Sequence, residues 1–252
     1  MKIVVAIKQV PVRDSPLRPS AAGTWIDETN LSFEINEPDA YALEEALQLR
    51  EKHSGEVIVL CAGPERAAQT IREALAKGAD RAIHVQTDTI LDTLGTAQAL
   101  AMAIKDEAPD LILTGLQSDD LGYGQTGVVL AELLGVPHST IIMQVEIREG
   151  KTLRVKRELE DGWFQHIEMS LPAVLTIQCG LNKLRYATLM GIKKAKTKEI
   201  RVVKPASSSA PSIVIDKIYA PQKAKQAQIL TGDAKSAAKQ LVEKLKFEAR
   251  VL

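Results

Sequence analysis

Three glycines form the pattern in this sequence that most resembles a ligand-binding loop. Gly122, Gly124 and Gly127 spell G-x-G-x-x-G inside DLILTGLQSDDLGYGQTGVVLAELLG, between an apolar strand-like run and a helical pattern. Glycines in this order let backbone N–H groups approach the phosphates of a dinucleotide at a helix N-terminus. The question is whether the loop binds a dinucleotide, a smaller anion or neither.

The position of the loop argues against a simple dinucleotide fingerprint. Such a fingerprint directly follows the first strand, whereas this loop follows the fourth predicted strand and is separated from Gly115 by LQSDDL. The acidic residue expected about 20 positions later could only be Glu146, inside a predicted hairpin. What is left is a backbone cradle at a helix N-terminus, with Gln125 and Thr126 as side-chain donors.

The charges of the loop narrow the class of ligand. Between Thr114 and Gly135 there is no Lys or Arg, while Asp119 and Asp120 are adjacent. A site that hydrolyses a triphosphate normally brings a Lys and a metal ion. We therefore expect one phosphate, or a cofactor held without phosphoryl transfer. The two aspartates are equally consistent with an Asx-type turn that contacts no ligand.

The other reactive side chains form no catalytic pattern. The four histidines show neither metal-ligand spacing nor a nucleophile motif. Cys61 and Cys179 lie in apolar runs, so we expect reduced core cysteines without a disulfide. The sequence therefore gives little support to a hydrolase or a metalloenzyme.

Composition and apolar run length argue against two further classes of protein, nucleic-acid binders and membrane-embedded proteins. Basic and acidic residues balance at 32 each and aromatic residues make up 4%, which argues against a nucleic-acid binder. No apolar run approaches the ~18–20 residues that cross a bilayer. The N-terminal MKIVVAIKQV leads straight into a strand without a targeting pattern. We expect a cytoplasmic protein of a bacterium or archaeon that is not embedded in a membrane.

Four short apolar runs supply the strands that position the glycine loop, and a helical pattern follows each of them. These runs are KIVVAIKQV, EVIVLCAG, RAIHVQ and DLILTG. Continuous apolar runs are typical of strands buried on both faces. Strands that alternate with helices predict an α/β fold with a mainly parallel sheet flanked by helices.

The pattern changes after Gly135 to strands of alternating polarity. Turn signals at Glu149-Gly150 and Asp161-Gly162 separate these strands and predict an antiparallel hairpin insertion. PAVLTIQC then has the pattern of another core strand.

The C-terminal segment is predicted to leave the main domain. KPASSSAPS has the composition of a linker, and it precedes a strand-like piece, IVIDKIYA, and an amphipathic helix, DAKSAAKQLVEKLKFEA. We divide the chain into an α/β nucleotide-binding domain at residues 1–203 and a linker with a C-terminal arm at residues 204–252. The arm either docks on another chain or packs against its own domain.

A basic run follows the last core strand. From Lys183 to Lys204 there are eight basic residues and one acid, and the run contains Arg185-Tyr186 and the apolar pair Leu189-Met190. An apolar anchor surrounded by charge would form a docking loop for a protein partner. A solvated helix face is the alternative.

Long motifs across essentially the whole chain carry a family resemblance. They are VKRELEDGWFQHIEMSLPAVLTI, LNKLRYATLMGIKKAKTKEI, KIVVAIKQVP, NEPDAYALEEAL and GLQSDDLGYGQTG. Together they resemble electron transfer flavoprotein β subunits, and the second motif is similar to the recognition loop of that family, here at about residues 182–200. Leu184 departs from the family pattern, which commonly has Pro at this position. The family pattern therefore does not determine the direction in which the chain enters the loop.

The resemblance implies a fold, partners and cofactors. The fold would be an adenine nucleotide α-hydrolase-like parallel sheet, and the C-terminal arm would dock on a larger α subunit. The heterodimer would hold FAD, mostly in α, and AMP in β. It would pass electrons from flavin dehydrogenases, such as the acyl-CoA dehydrogenases of fatty acid oxidation, to a quinone oxidoreductase. The chain would be an electron carrier subunit rather than a classical enzyme.

The resemblance also implies site residues, with no catalytic residue and no metal ligand among them. Cofactor binding would involve Ala6, Asn36, Glu37, Pro38, Asp39, Ala62, Gly115, Gln117, Ser118, Asp119, Asp120, Leu121, Gly122, Tyr123, Gly124, Gln125 and Thr126. Partner docking would involve Arg185, Tyr186 and Leu189, with Leu189 as the apolar anchor. Arg13 and Pro38 stand where some relatives present aromatic side chains to the flavin, so no flavin contact is assigned to them.

Two alternatives stay open beside AMP. Tyr123 and Gly124 differ from several AMP-binding relatives, and the extra glycines could make room for the diphosphate of a second FAD, as in NADH-linked, electron-bifurcating members. The other alternative is a stand-alone ATP-binding α/β protein that forms a homo-oligomer without an α subunit. An ATP pyrophosphatase would need an S-G-G-x-D-S-type loop after the first strand, and AIKQVPVRD has none.

Overall fold

The computed structural model describes residues 1–149, 152–205, 211–221 and 227–251. The strands are β1 (Lys2–Ala6), β2 (Gln9–Pro11), β3 (Phe33–Ile35), β4 (Glu56–Gly63), β5 (Arg81–Gln86), β6 (Leu111–Gly115), β7 (His138–Arg148), β8 (Thr152–Glu158), β9 (Phe164–Ser170), β10 (Ala173–Ile177) and β11 (Ile200–Val203). The α-helices are α1 (Glu37–His53), α2 (Ala67–Lys77), α3 (Thr93–Ile104), α4 (Thr126–Leu134), α5 (Leu189–Ala195) and α6 (Ala234–Phe247), and short 3-10 turns cover Lys105–Glu107 and Glu160–Gly162.

In the described part of the chain, nine strands form one sheet in the order β11-β5-β4-β1-β6-β10-β7-β8-β9. The strands from β11 to β7 run parallel, whereas β8 and β9 are antiparallel to their neighbours. This confirms the predicted α/β fold with an antiparallel insertion. β2 and β3 form a separate antiparallel ribbon.

The continuous apolar runs arise because helices cover both faces of the parallel sheet. In β1, Ile3 and Val5 belong to one core cluster, which includes the apolar faces of α1 and α2. Val4 points to the opposite cluster, which includes α3 and α4. Since successive side chains of a strand point to opposite faces, both positions must be apolar.

Three details differ from the sequence predictions. KIVVAIKQV does not form one strand, because β1 ends at Ala6 and Gln9–Pro11 pairs with β3 instead. IVIDKIYA was expected to contain a strand, and residues 213–220 contain none. An extended apolar segment becomes a strand only when a neighbour satisfies its backbone, and this segment pairs with no strand of the described sheets. Finally, β7 is parallel to β10, so it belongs to the core sheet as well as to the hairpins.

The turns and the linker are confirmed only in part. Asp161 and Gly162 form the turn between β8 and β9, with φ of 55° and 76°. Gly150 of the other predicted turn lies outside the described residues, and so do residues 206–210 of the predicted linker. The final helix is confirmed as α6, and none of its residues is buried. No helix in the described ranges is long and apolar enough to cross a membrane.

Candidate functional site

The residues predicted to bind a nucleotide meet at one edge of the sheet. Ala6 ends β1, Ala62 is the penultimate residue of β4, and Gly115 ends β6. β1 lies between β4 and β6, and all three run parallel, so their carboxyl ends are adjacent. Open α/β sheets bind ligands at this edge. The glycine loop leaves β6 here, which makes this edge the candidate nucleotide site.

Asp39 holds the edge together from the first turn of α1. One carboxylate oxygen accepts the backbone N–H of Lys8 at 2.7 Å, and the other accepts the N–H of Gly115 at 2.8 Å. The side chain therefore bridges the segments that follow β1 and end β6. The residue is only 6% exposed, and burial raises the pKa of its carboxyl group to about 7.

Asn36 joins the start of α1 to the glycine loop. Its amide nitrogen donates to the carbonyl of Gln117, and its amide oxygen accepts the N–H of Asp119, both at 2.9 Å. The Asp119 carboxylate in turn accepts the N–H of Glu37 at 3.3 Å. An acidic group at this end of a helix is favourable because the helix dipole is positive there. The hydrogen bonds of Asn36 and Asp119 together hold the glycine loop beside α1.

Lys8 brings to the loop the positive charge that the loop sequence lacks. Its ammonium nitrogen lies 2.6 Å from Asp120 Oδ1 and 3.4 Å from Ser118 Oγ. The charge pattern of residues 114–135 could not reveal this lysine, because it follows β1. Topology was the available signal, since neighbouring parallel strands end at the same edge. Asp120 also accepts the N–H of Leu121, the next residue, whereas an Asx-type turn would use the N–H two residues on.

The glycines serve two different purposes. Gly122 and Gly124 have φ of 65° and 63°, a region that residues with a Cβ rarely adopt. Gly127 is buried in the first turn of α4, where a Cβ would lie 2.7 Å from Thr114 Oγ1. The first two glycines shape the loop, and the third lets α4 pack closely on the sheet.

The N-terminus of α4 offers backbone donors to the site. Gln125 occupies the N-cap position, and its side chain makes no capping hydrogen bond. The first N–H groups of a helix have no intrahelical acceptor and favour an anion. Gly122, Tyr123 and Gln125 are exposed, so the cradle is open to solvent. Among the described residues no group of His, Cys, Asp or Glu side chains could hold a metal ion.

A second candidate site, the docking turn (residues 186–190), lies on a different part of the surface. Tyr186 is 92% exposed, Leu189 is 87% exposed and Met190 is 64% exposed. Thr188 caps α5 by accepting the N–H of Gly191 at 3.0 Å. The apolar side chains therefore project from an ordered helix start. Arg185, predicted to take part in docking, forms ion pairs with Glu44 and Glu51 of α1.

The other singled-out residues take ordinary structural positions. Leu184, which stands at the usual proline position, packs against the core cluster beneath α1. His84 is buried and lies 3.0 Å from the Gly63 carbonyl oxygen. Cys61 and Cys179 are both free, as expected, although Cys179 is only half-buried.

Comparisons with known proteins identify relatives over the whole chain. Residues 23–208 match the family model described as "Electron transfer flavoprotein domain". The chain is 38% identical over 253 residues to the electron transfer flavoprotein subunit beta of Methylophilus methylotrophus, which covers 95% of this chain and 96% of that protein. It is also 38% identical over 260 residues to the mitochondrial protein of the same name from Oryza sativa subsp. japonica, with both chains covered completely. The Bacillus subtilis (strain 168) protein of that name is 36% identical over 236 residues, or 90% of this chain and 91% of its own length.

Proposed function

The chain belongs to the family of electron transfer flavoprotein β subunits, and on this premise we propose that it pairs with an α subunit and that the heterodimer shuttles electrons between other redox proteins. FAD, held mostly by the α subunit, supplies the electron-carrying chemistry when bound. The residues of this chain hold a nucleotide, contact the α subunit and dock a partner. As donors we propose flavin dehydrogenases, such as acyl-CoA dehydrogenases, and as acceptor a quinone oxidoreductase.

We propose AMP as the nucleotide that the candidate site holds. The exposed start of α4 and the two left-handed glycines would hold one phosphate with backbone N–H groups. Lys8 lies at the same edge and would balance the phosphate charge, provided that its ammonium group leaves Asp120. Within the described residues no group of His, Cys, Asp or Glu side chains could hold a metal ion, and the role that we propose for the nucleotide is structural.

A second FAD at this edge is the competing proposal, and it would make the protein an NADH-linked bifurcating member of the family. The observation in its favour is the loop itself. Gly122 and Gly124 are open, and a Cβ at either position would meet nothing closer than 3.7 Å. A diphosphate needs more room along the backbone than a single phosphate, and such glycines would provide it.

The observation that carries the docking proposal is the exposure of Leu189. A large aliphatic side chain that is 87% exposed at a capped helix start has no packing role in its own chain. Apolar side chains that enter a pocket of a partner supply much of the energy of a protein interface. We propose that Leu189 fills such a pocket on the dehydrogenase, while the basic residues around it steer the approach.

Leu189→Ala tests this proposal in the purified αβ complex. Electron transfer from octanoyl-CoA-reduced acyl-CoA dehydrogenase should show a KM for the complex raised about 30-fold, which corresponds to the ~2 kcal/mol of a hot-spot residue. Flavin content should not change. Ile90→Ala, which shortens an exposed side chain elsewhere, serves as the control. Loss of flavin, or an unchanged KM, would show that Leu189 is not the docking anchor.

A further inference from the structure

The docking turn is fixed at its N-terminal side by an ion-paired arginine. Arg185 Nε lies 2.7 Å from Glu44 Oε2, and its Nη2 lies 3.0 Å from Glu44 Oε1. Its Nη1 lies 2.6 Å from Glu51 Oε1. The guanidinium group of Arg185 thus pairs with two carboxylates of α1. Arg185 directly precedes Tyr186, the most exposed large hydrophobic residue of the docking turn. Fork-shaped pairing of this kind restricts orientation as well as distance.

The carboxylate of Glu44 depends on this pairing. The Glu44 side chain is only 5% exposed, and a buried carboxylate without a counter-charge is costly. Beside it, Asn182 donates to the carbonyl of Tyr41 at 3.2 Å and to Glu45 Oε2 at 3.1 Å. Residues 182 and 185 are therefore both fastened to α1. The docking turn begins from a fixed base rather than from a free loop.

The C-terminal side of the turn is fixed to α2. Arg72 donates to the carbonyl of Ala195, the last residue of α5, and to that of Lys198 beyond it, both at 2.6 Å. Gly191 sits so close to the carbonyl of Ala76 that an added Cβ would clash with it. Lys198 donates back to the carbonyl of Leu75 at 3.1 Å. The exposed side chains of Tyr186, Leu189 and Met190 lie between the two attachments.

Two rigid attachments around an exposed apolar turn affect binding directly. Ordering a loop when a partner binds costs conformational free energy, and a loop that is already ordered avoids that cost. The attachments are hydrogen bonds and ion pairs to α1 and α2 and are not part of the exposed apolar surface. Their effect on docking would therefore come through the conformation of the turn.

We propose that Arg185, by pairing with Glu44 and Glu51, is a positioning residue that holds the docking turn in its binding conformation. This inference rests on the docking function proposed for Leu189. It assigns Arg185 a role within its own chain instead of a direct contact with the dehydrogenase. It also makes Glu44, which sequence reasoning did not single out, part of the docking apparatus.

The test compares Arg185→Met with the double variant Glu44→Gln/Arg185→Met in the αβ complex. The single variant leaves a buried carboxylate unpaired and should lose stability as well as docking. The double variant removes that charge and should recover stability. With octanoyl-CoA-reduced acyl-CoA dehydrogenase as the probe, both variants should show KM raised about tenfold and kcat unchanged. Hydrogen exchange of the amides of residues 186–192 should be faster in both.

Arg50→Met is the matched control. Arg50 also extends from α1 to a carboxylate, Asp80, at 2.9 Å, but it fastens the segment after α2 rather than the docking turn. Its removal should leave KM and the exchange of residues 186–192 unchanged. A double variant that docks with the KM of the unmodified complex would overturn the proposal for Arg185.

The Leu189→Ala complex separates the two proposals. If Leu189→Ala raises KM and the double variant does not, docking stands and the positioning role of Arg185 fails. If neither variant changes KM, the docking function itself fails. If the double variant raises KM without faster exchange at residues 186–192, Arg185 contacts the partner directly and the positioning role fails.

Discussion

Among single residues, Asp39 has the most important contacts at the nucleotide edge, the sheet edge where β1, β4 and β6 end and where the candidate nucleotide site lies. It is buried, yet both of its carboxylate oxygens accept backbone N–H groups from segments distant in sequence. Removing the bond to Gly115 would leave a buried donor unsatisfied, which costs about 1–3 kcal/mol. The sequence resemblance implied only that Asp39 touches a cofactor. The structure gives it a second role, since it aligns the ends of β1 and β6.

Asp39 should make stability depend on pH. Its folded pKa is about 7, above the ordinary 3.8, so between these values the folded state binds more protons than the unfolded one. The stability that the protonated Asp39 side chain contributes to the folded state is fully present below about pH 4. It is lost as the pH rises through about 7. Asp39→Asn should lower stability and flatten this pH dependence. Urea unfolding at several pH values measures both effects, and an Asn variant with the slope of the unmodified protein would contradict the assignment.

Lys8 is the residue whose removal should weaken AMP binding most selectively. Lys8→Gln removes a charged hydrogen-bond donor worth about 1.5–3 kcal/mol, so AMP affinity should fall roughly 10- to 100-fold. Asp120→Asn should act in the opposite direction, because it frees the Lys8 ammonium group. Calorimetric titration of the nucleotide-stripped αβ complex with AMP measures both.

Lys52→Gln is the control for Lys8. Lys52 is exposed in the last turn of α1, at the opposite end of that helix from the nucleotide edge. Its removal changes the net charge equally and should leave AMP affinity unchanged. Equal losses for both lysines would indicate a general charge effect instead of a contact at the site.

At the level of elements, strands buried on both faces were the most predictable part of the fold. β1, β4, β5, β6 and β10 have the continuous apolar runs that this environment requires. The strand predicted in IVIDKIYA was wrong, because composition indicates the preference of a segment for extended structure and not the presence of a neighbouring strand to pair with. The Arg185–Glu44 contact was also beyond sequence reasoning, since it joins residues 141 positions apart.

Part of the predicted C-terminal arm is hydrogen-bonded to a carboxylate that also caps α3. One oxygen of Asp92 accepts the N–H of Gly95 at 2.7 Å, and the other accepts the N–H groups of Ser212 at 2.6 Å and Ile213 at 3.1 Å. A further hydrogen bond joins Ile218 N–H to the carbonyl of Gly23 at 2.7 Å. Residues 212–218 thus contact the rest of the chain at defined points, although the apolar side chains of Val214 and Tyr219 stay exposed.

Substitutions of Asp92 should separate the cap from the arm. Asn is as good an N-cap as Asp, so Asp92→Asn should preserve α3 while losing acceptors for the arm. Asp92→Ala should lose both and cost about 1 kcal/mol of stability. Hydrogen exchange at residues 212–218 should accelerate in both variants, while thermal stability should fall only for Ala. Unchanged exchange in the Asn variant would show that Asp92 does not anchor the arm.

For the whole molecule, the division into residues 1–203 and 204–252 stays a prediction, and so does docking of the arm on an α subunit. The exposed face of α6, with Leu241, Val242 and Phe247, is what such docking would cover. A cytoplasmic location in a bacterium or archaeon also stays a prediction, because the relatives include a mitochondrial protein beside bacterial ones. The family and the fold could be predicted from long sequence motifs. The identity of the ligand at the nucleotide edge depends instead on the backbone conformation of a few residues in the glycine loop, which the motifs do not determine.

The nucleotide content of the purified αβ complex tests the central claim most directly. That claim is that this chain holds a structural mononucleotide while the α subunit holds the redox-active flavin. Denaturing the complex and identifying the released nucleotides by mass should give one FAD and one AMP per heterodimer. Release of two FAD molecules and no AMP would contradict the claim and identify the glycine loop as the site of a second flavin.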